Sequence, residues 1–430
     1  MNVAFSRRAY LIATAILVLL RGGIAQHSRQ AERSPQTDSQ IEQWLNGPDR
    51  RDFDWKVQIA GPTLTFQQRY VVEARVLLPV RKLARAGISF SDIHFAVKVK
   101  DSEGHWLPGE YHTLFQPPVD MARAREIVLY SHFFLRPGKY AVVVVAGDSR
   151  HGRGNVWRSQ LHVAPLSQDP LPEIGRNLPD VEFPASGSGD PPATGPAKLY
   201  LPVRPRRPIQ LDVVVNLSLS DAMNTRYAQA PDWVYRTNAG VLLQVGRVLS
   251  QFDLTDGCVR VSALDILRQK VFSDRIPASE TNWGEMINSV QLLERSKIDA
   301  RMLQQLKTTP SLFARFLEQA ASDSRSCGKP ARKPLHVLIV VSDAFLFPGK
   351  TQMATIRPES APGTVCYYLQ IDPIRGGTWD QIGRVLGPLH PRRWEFSDGT
   401  RFRKALAELI TDIETLPAEA TPNASPGSWF

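Results

Sequence analysis

Two unlike halves are predicted for this chain: an all-β sandwich over residues 51–165, then an α/β domain with a doubly wound, mostly parallel sheet over 209–413. Three observations predict them. Short runs alternate apolar and polar residues in the first half, and strand-length apolar runs alternate with helical periodicity in the second. Between them lies a stretch rich in Pro, Gly, Ser and Asp. A length of 430 residues is more than one core usually holds, and 43% hydrophobic with 22% charged residues is the composition of a globular chain.

Residues 1–25 read as an exported leader, with Arg7 and Arg8 ahead of the apolar run Ala9 to Leu20 and the small-residue exit Gly23-Ile24-Ala25. The run is shorter than the about 20 residues a spanning helix needs, so cleavage as a signal peptide is expected. The bulk of the chain is then periplasmic or secreted, and membrane attachment follows only if the leader stays uncleaved. Residues 26–50 are polar and are expected to be disordered.

The sandwich begins with Trp55-Val57-Ile59, Val72-Ala74-Val76 and Phe95-Val97-Val99, each at period two. Ile127 to Leu129, Ala141 to Ala146 and Gln160 to Val163 continue it, with turn signals at Ser102-Glu103-Gly104 and Pro137-Gly138. The segment LRPGKYAVVVVAGD resembles the late strand of immunoglobulin-like or fibronectin type III-like modules. From 166 to 208, including ASGSGDPPATGPA, little apolar periodicity remains, and a linker is expected.

In the second half Leu211 to Val215 reads as a strand buried on both faces. Val241, Val245, Val248, Leu249 and Phe252 share one helical face. Strands are expected at Val259 to Ile266, Lys270 to Ser273, Leu335 to Val341 and Val365 to Ile371. Helices are expected at the stripe Met286, Ile287, Val290, Leu293 and at Phe402 to Ile413, followed by a loose tail over 414–430.

In open α/β sheets, ligands gather at the carboxyl ends of strands. Asn216-Leu217-Ser218-Leu219-Ser220 follows the first buried strand, and Ser342-Asp343 follows the fourth. The first stretch resembles the Asp-x-Ser-x-Ser metal-ion-dependent adhesion site of von Willebrand factor A domains, and WDQIGRVLGPL and RFRKALAELITDI resemble that family's last two helices. The likeness covers about half the chain and is nearest to the bacterial exported VWFA-related proteins. It implies a protein-binding function, for adhesion or envelope assembly, and a metal set of Asn216, Ser218, Ser220, Thr281 in SETNWGE, and Asp343. The ion implied is Mg2+, or Mn2+ or Ca2+, with a partner's acidic side chain completing its coordination.

Asn216 stands where the family has aspartate, which removes one negative charge. At an effective dielectric near 20, one charge at about 4 Å is worth roughly 4 kcal/mol before desolvation, so metal affinity is expected to fall. Ordinary structural roles are open to each residue: Ser218 and Ser220 capping loops, Thr281 beside an Asn282/Glu285 helix cap, Asp343 in a turn. A metal-free scaffold is therefore an alternative reading, and a serine hydrolase using Ser218 or Ser220 a weaker one, since neither serine has a positioned histidine.

Other functions lack support. Gly349-Lys350-Thr351 imitates the end of a P-loop, but Ala344 occupies the place of its first glycine. Neither a Gly-x-Ser-x-Gly elbow nor a His-Glu-x-x-His helix occurs. A net charge of +10 is spread along the chain, which argues against a nucleic-acid partner. Of three cysteines, Cys366 lies in an apolar run, and a bridge between Cys258 and Cys327 is left open.

Overall fold

The computed structural model describes residues 23–24, 35–89, 93–109, 111–115, 124–148, 150–184, 197–218, 232–291, 308–323, 334–347, 353–371 and 380–417. They form two compact units, Met1–Thr63 with Arg69–Pro165 and Pro179–Pro196, and Leu64–Gln68 with Leu166–Leu178 and Ala197–Phe430.

The first unit contains β1 (Gly23–Ile24), α1 (Pro35–Asn46), β2 (Arg50–Arg51), β3 (Lys56–Leu64), β4 (Tyr70–Pro79), α2 (Val80–Arg85), β5 (Ile93–Lys100), β6 (Tyr111–Leu114), β7 (Glu126–Leu135), β8 (Gly138–Asp148), β9 (Arg153–Val163) and β10 (Val181–Glu182). One sheet runs β1-β7-β4-β3 with β10 also on β7, and the other runs β2-β9-β8-β5-β6. Alternation on β4 sends Val72, Ala74, Val76 and Leu78 into a core shared with Phe95, Val97, Val142 and Val144 of the other sheet. This is the sandwich that the period-two runs predict.

Two expectations change here. The segment 26–50 holds α1, whose Ile41, Trp44 and Leu45 are buried on the outer face of the second sheet against Ala96, Val143, Val145 and Val156. The Trp44 ring fits over Gly147 and Gly154, where a Cβ would collide with it. Of the leader expected over 1–25, Gly23–Ile24 pair with Glu126–Ile127 of β7, and the rest lies outside the described residues.

The second unit contains β11 (Pro202–Val203), β12 (Ile209–Asn216), α3 (Asp232–Leu249), β13 (Asp253–Leu254), β14 (Gly257–Asp265), β15 (Lys270–Pro277), α4 (Trp283–Gln291), α5 (Thr309–Ser322), β16 (Leu335–Asp343), β17 (Val365–Ile371), α6 (Ile382–Leu386), β18 (Arg392–Phe396) and α7 (Gly399–Thr415). Its six-stranded sheet has the order β15-β14-β12-β16-β17-β18. The interior ladders from β14 to β18 are parallel, and β15 returns antiparallel along β14 with register shifts. Odd-numbered residues of β12, such as Leu211, Val213 and Val215, pack with α3 and α7, whereas Val214 packs with α5 and α6.

The fold class expected from the sequence is corrected. Among the described residues strand outweighs helix, 40% to 27%, in four sheets whose ladders taken together are mostly antiparallel, so a doubly wound, parallel α/β class does not describe the chain as a whole, and parallel ladders run on only from β14 to β18. The physical reason is that hydrophobic periodicity separates strands from helices but holds no information about a neighbour's direction or the number of sheets. Residues 166–184 and 197–208 also differ from a linker: Ile174, Leu178, Leu199, Leu201 and Val203 are core residues of the second unit, and β11 pairs with β13, while 185–196 lie outside the described residues.

A buried ion cluster lies on the α5 side of the sheet. Arg260 grips Asp212 with two hydrogen bonds, Nε at 2.7 Å and Nη2 at 2.6 Å, and reaches Asp323 at 3.2 Å. His336 Nε2 lies 2.5 Å from the same Asp212 carboxylate. Charges this deep persist only when paired, and these pairs tie β12 to both of its neighbours. Cys258 is disulfide-bonded, and Cys366 is a free buried thiol whose pKa burial pushes up to about 12.

Candidate functional site

The site is set by where β14, β12 and β16 end. Asn216 pairs in register with Leu264, and Val215 with Val341, so Asn216, Asp265, Ser342 and Asp343 arrive at one level of the sheet from three adjacent strands. Asn216 is fully buried. Its Nδ2 donates to Ser342 Oγ at 2.9 Å, and its Oδ1 accepts the backbone N–H of Ser218 at 3.0 Å. Both ends of the amide are therefore used, one to close the loop after β12 and one to tie it to β16.

Ser218, also fully buried, donates its hydroxyl to Asp265 Oδ1 at 2.7 Å and accepts the Leu267 N–H at 3.0 Å. Asp265 accepts two further bonds from Arg268, from its backbone N–H at 3.0 Å and from Nη1 at 2.5 Å. Ser342 donates its own hydroxyl to the Asp343 carbonyl at 2.8 Å, and Asp343 Oδ1 accepts the Ala344 N–H at 2.8 Å. The result is a continuous polar chain, Arg268–Asp265–Ser218–Asn216–Ser342–Asp343, across three strand ends.

Of the five residues expected to hold a metal, the structure thus brings Asn216, Ser218 and Asp343 together. Thr281 is elsewhere in the bonding pattern: its hydroxyl donates to the Pro277 carbonyl at 3.1 Å, just ahead of Asn282, whose Oδ1 caps Glu285 N at 3.1 Å at the start of α4. Ser220 lies outside the described residues. Sequence reading missed Asp265, and it named Ser342 at a strand end without giving it a part in the site. A signal for Asp265 existed, since it is an acidic residue at the end of an otherwise apolar strand.

Among the described residues, which leave out Ser220, the donor set does not fit a resident divalent cation. Such an ion takes hard oxygens with charge. Here Asn216 is neutral, the Ser218 oxygen already serves Asp265 and Leu267, Thr281 is turned to a backbone carbonyl, and the Asp265 charge is met by Arg268. Among the described residues no group of three or more His, Cys, Asp or Glu side chains stands where it could hold a metal. The buried network instead fixes the strand ends beside a loop whose Leu346 is 40% exposed, between the buried rings of Phe345 and Phe347.

No protein-family model matches the chain, and no curated protein does. Among solved structures it is similar to a von Willebrand factor type A protein from Catenulispora acidiphila, at 12% identity over 51% of this chain and 44% of that one, with a TM-score of 0.26. It is similar to proximal thread matrix protein 1 from the mussel byssus, at 12% identity over 49% of each chain, with a TM-score of 0.25. The chicken interferon gamma receptor alpha chain matches 26% of this chain and 50% of its own length, at 15% identity and a TM-score of 0.17. The chain thus spans about half the length of these structures. Its solved neighbours include von Willebrand factor A domains, and TM-scores this low carry no further argument.

Proposed function

We propose that this is an exported protein-binding protein, acting in adhesion or envelope assembly, that engages its partner through the rim at the ends of β14, β12 and β16. The observation that carries the reading is the buried network of Asn216, Ser218, Asp265 and Ser342, bonded to one another from positions far apart in sequence, which fixes the strand ends from which the loops of that rim leave. Loops that leave strand ends braced in this way are pre-organised, which lowers the cost of binding. The exposed Leu346, on the loop leaving β16, supplies an apolar contact next to them. Export is supported by the leader-like first 25 residues and by a disulfide at Cys258, a bond that persists in oxidising compartments.

A hydrolase reading is disfavoured by the same geometry. The Ser218 hydroxyl is buried and points its proton at a carboxylate that Arg268 already neutralises, which leaves it without a base to raise its nucleophilicity.

The test is site-specific photo-crosslinking in the producing cell, with the probe at Leu346 and, as a control, at Val271, which is 45% exposed on β15. A discrete adduct from position 346 that is absent from 271 and lost in Asp343→Ala supports the reading. Adducts that are the same from both positions, or none from 346, overturn it.

A further inference from the structure

Taking the rim as the binding surface, we propose that Arg268 is its resident cation and makes it independent of divalent metal. Asp265 is fully buried, and a carboxylate withdrawn from water needs a counter-charge and full hydrogen bonding. Arg268 supplies both from three residues along the chain, with Nη1 at 2.5 Å from Oδ2 and its backbone N–H at 3.0 Å from Oδ1. Ser218 adds a bond to Oδ1 at 2.7 Å. A metal ion entering here would have to displace a guanidinium that is attached to the fold.

The geometry explains why an amide is suited to position 216. Asn216 must donate to Ser342 Oγ and accept from Ser218 N. An amide does both with no net charge, whereas an aspartate would add a second buried anion that Arg268 could not also neutralise. Asp265 and Asp343 end the strands on either side of β12, roughly 10 Å apart at two interstrand spacings. With the guanidinium removed, two carboxylates would stand on either side of the Asn216 amide with no cation between them.

The experiment uses the full chain and Mn2+, followed by the loss of the free-ion electron paramagnetic resonance signal. Wild type is expected to leave the signal unchanged up to millimolar protein. Arg268→Gln is expected to gain one saturable Mn2+ per chain, at least tenfold tighter than wild type, and the double variant Arg268→Gln/Asp265→Asn to lose it. A single saturable site in wild type overturns the proposal, as does a folded Arg268→Gln that is as silent as wild type. If Arg268→Gln does not fold, Arg268→Lys decides, since it keeps the charge: silence supports the proposal and Mn2+ binding overturns it. None of these readouts depends on the crosslinked partner, so failure of the binding reading is distinguished from failure of this one.

Discussion

Ser218 and Asp265 lie 47 residues apart in sequence and share a 2.7 Å hydrogen bond at the ends of adjacent strands. Because both are fully buried, the bond has no water to replace it. Ser218→Ala is expected to leave Asp265 short of a donor and the Leu267 N–H without its acceptor, lowering unfolding free energy by about 1–3 kcal/mol. Urea denaturation checks this, and an unchanged midpoint would show that the rim's polar chain contributes nothing to stability.

Arg403, on α7, is 3% exposed and holds two distant segments: its Nε donates to Gln68 Oε1 at 2.6 Å and its Nη1 to Asp169 at 3.0 Å and to the Leu171 carbonyl at 3.0 Å. Arg403→Met is predicted to cost roughly 3 kcal/mol, the low end for a broken buried pair, because Asp169 keeps some access to water. Chemical denaturation would show the drop, and a variant as stable as wild type would reject it.

Trp44 predicts a glycine effect. Gly147→Ala places a methyl group where the indole ring lies, so α1 must lift from the outer face of the sandwich. The expected result is faster proteolysis within residues 35–46 and a red-shifted contribution from Trp44, read as the difference from a Trp44→Phe background. Cleavage at the wild-type rate would mean that the ring is not seated on the glycine.

Glu73 gives a pH prediction. A hydrogen bond from His132, with Arg75 close by, holds its carboxyl below the ordinary 4.5. A depressed folded pKa means the contribution is fully present above the unfolded value and is lost as pH falls through the folded one. Below about pH 4.5 the wild type should therefore lose stability more steeply than Glu73→Gln, as thermal melts across pH 2–6 would show. Parallel curves would remove Glu73 from the acid limb.

Cys366 yields a chemical prediction. With its pKa pushed up to about 12 by burial, the thiol should not react with an aromatic disulfide reagent at pH 8 until the protein is unfolded. Reaction of the folded protein at the unfolded rate would contradict the burial of β17.

The sequence made some of this legible and hid the rest for identifiable reasons. Leu211 to Val215 and Val365 to Ile371 announce themselves because a strand covered on both faces has no room for solvated side chains. Helix α1 was missed although Ile41, Trp44 and Leu45 sit at spacings of three and four, because polar neighbours masked so short a stripe. The return of β15 along β14 leaves no trace in composition. At the site, Asn216, Ser218, Ser342 and Asp343 were readable as strand-end residues, whereas the bonds that Ser342 and Arg268 make emerge only once register is known, since they depend on which strands are adjacent. Asp212 inside an apolar run was a hint of its own: a charge there implies a buried counter-charge, which Arg260 provides.

The composition of the second unit has a practical consequence for anyone cutting this gene. Leu64–Gln68 and Leu166–Leu178 belong to that unit, and they meet α7 where Gly399 leaves no room for a side chain beside the carbonyls of Leu64 and Thr65. A clone starting near residue 197 would encode every strand of the six-stranded sheet yet omit both pieces that Arg403 grips and the Phe66 ring that packs on Phe396 and Phe402. The unit is contiguous in space but not along the polypeptide, so it cannot be excised, swapped or displayed as a single stretch of codons without supplying those pieces in trans.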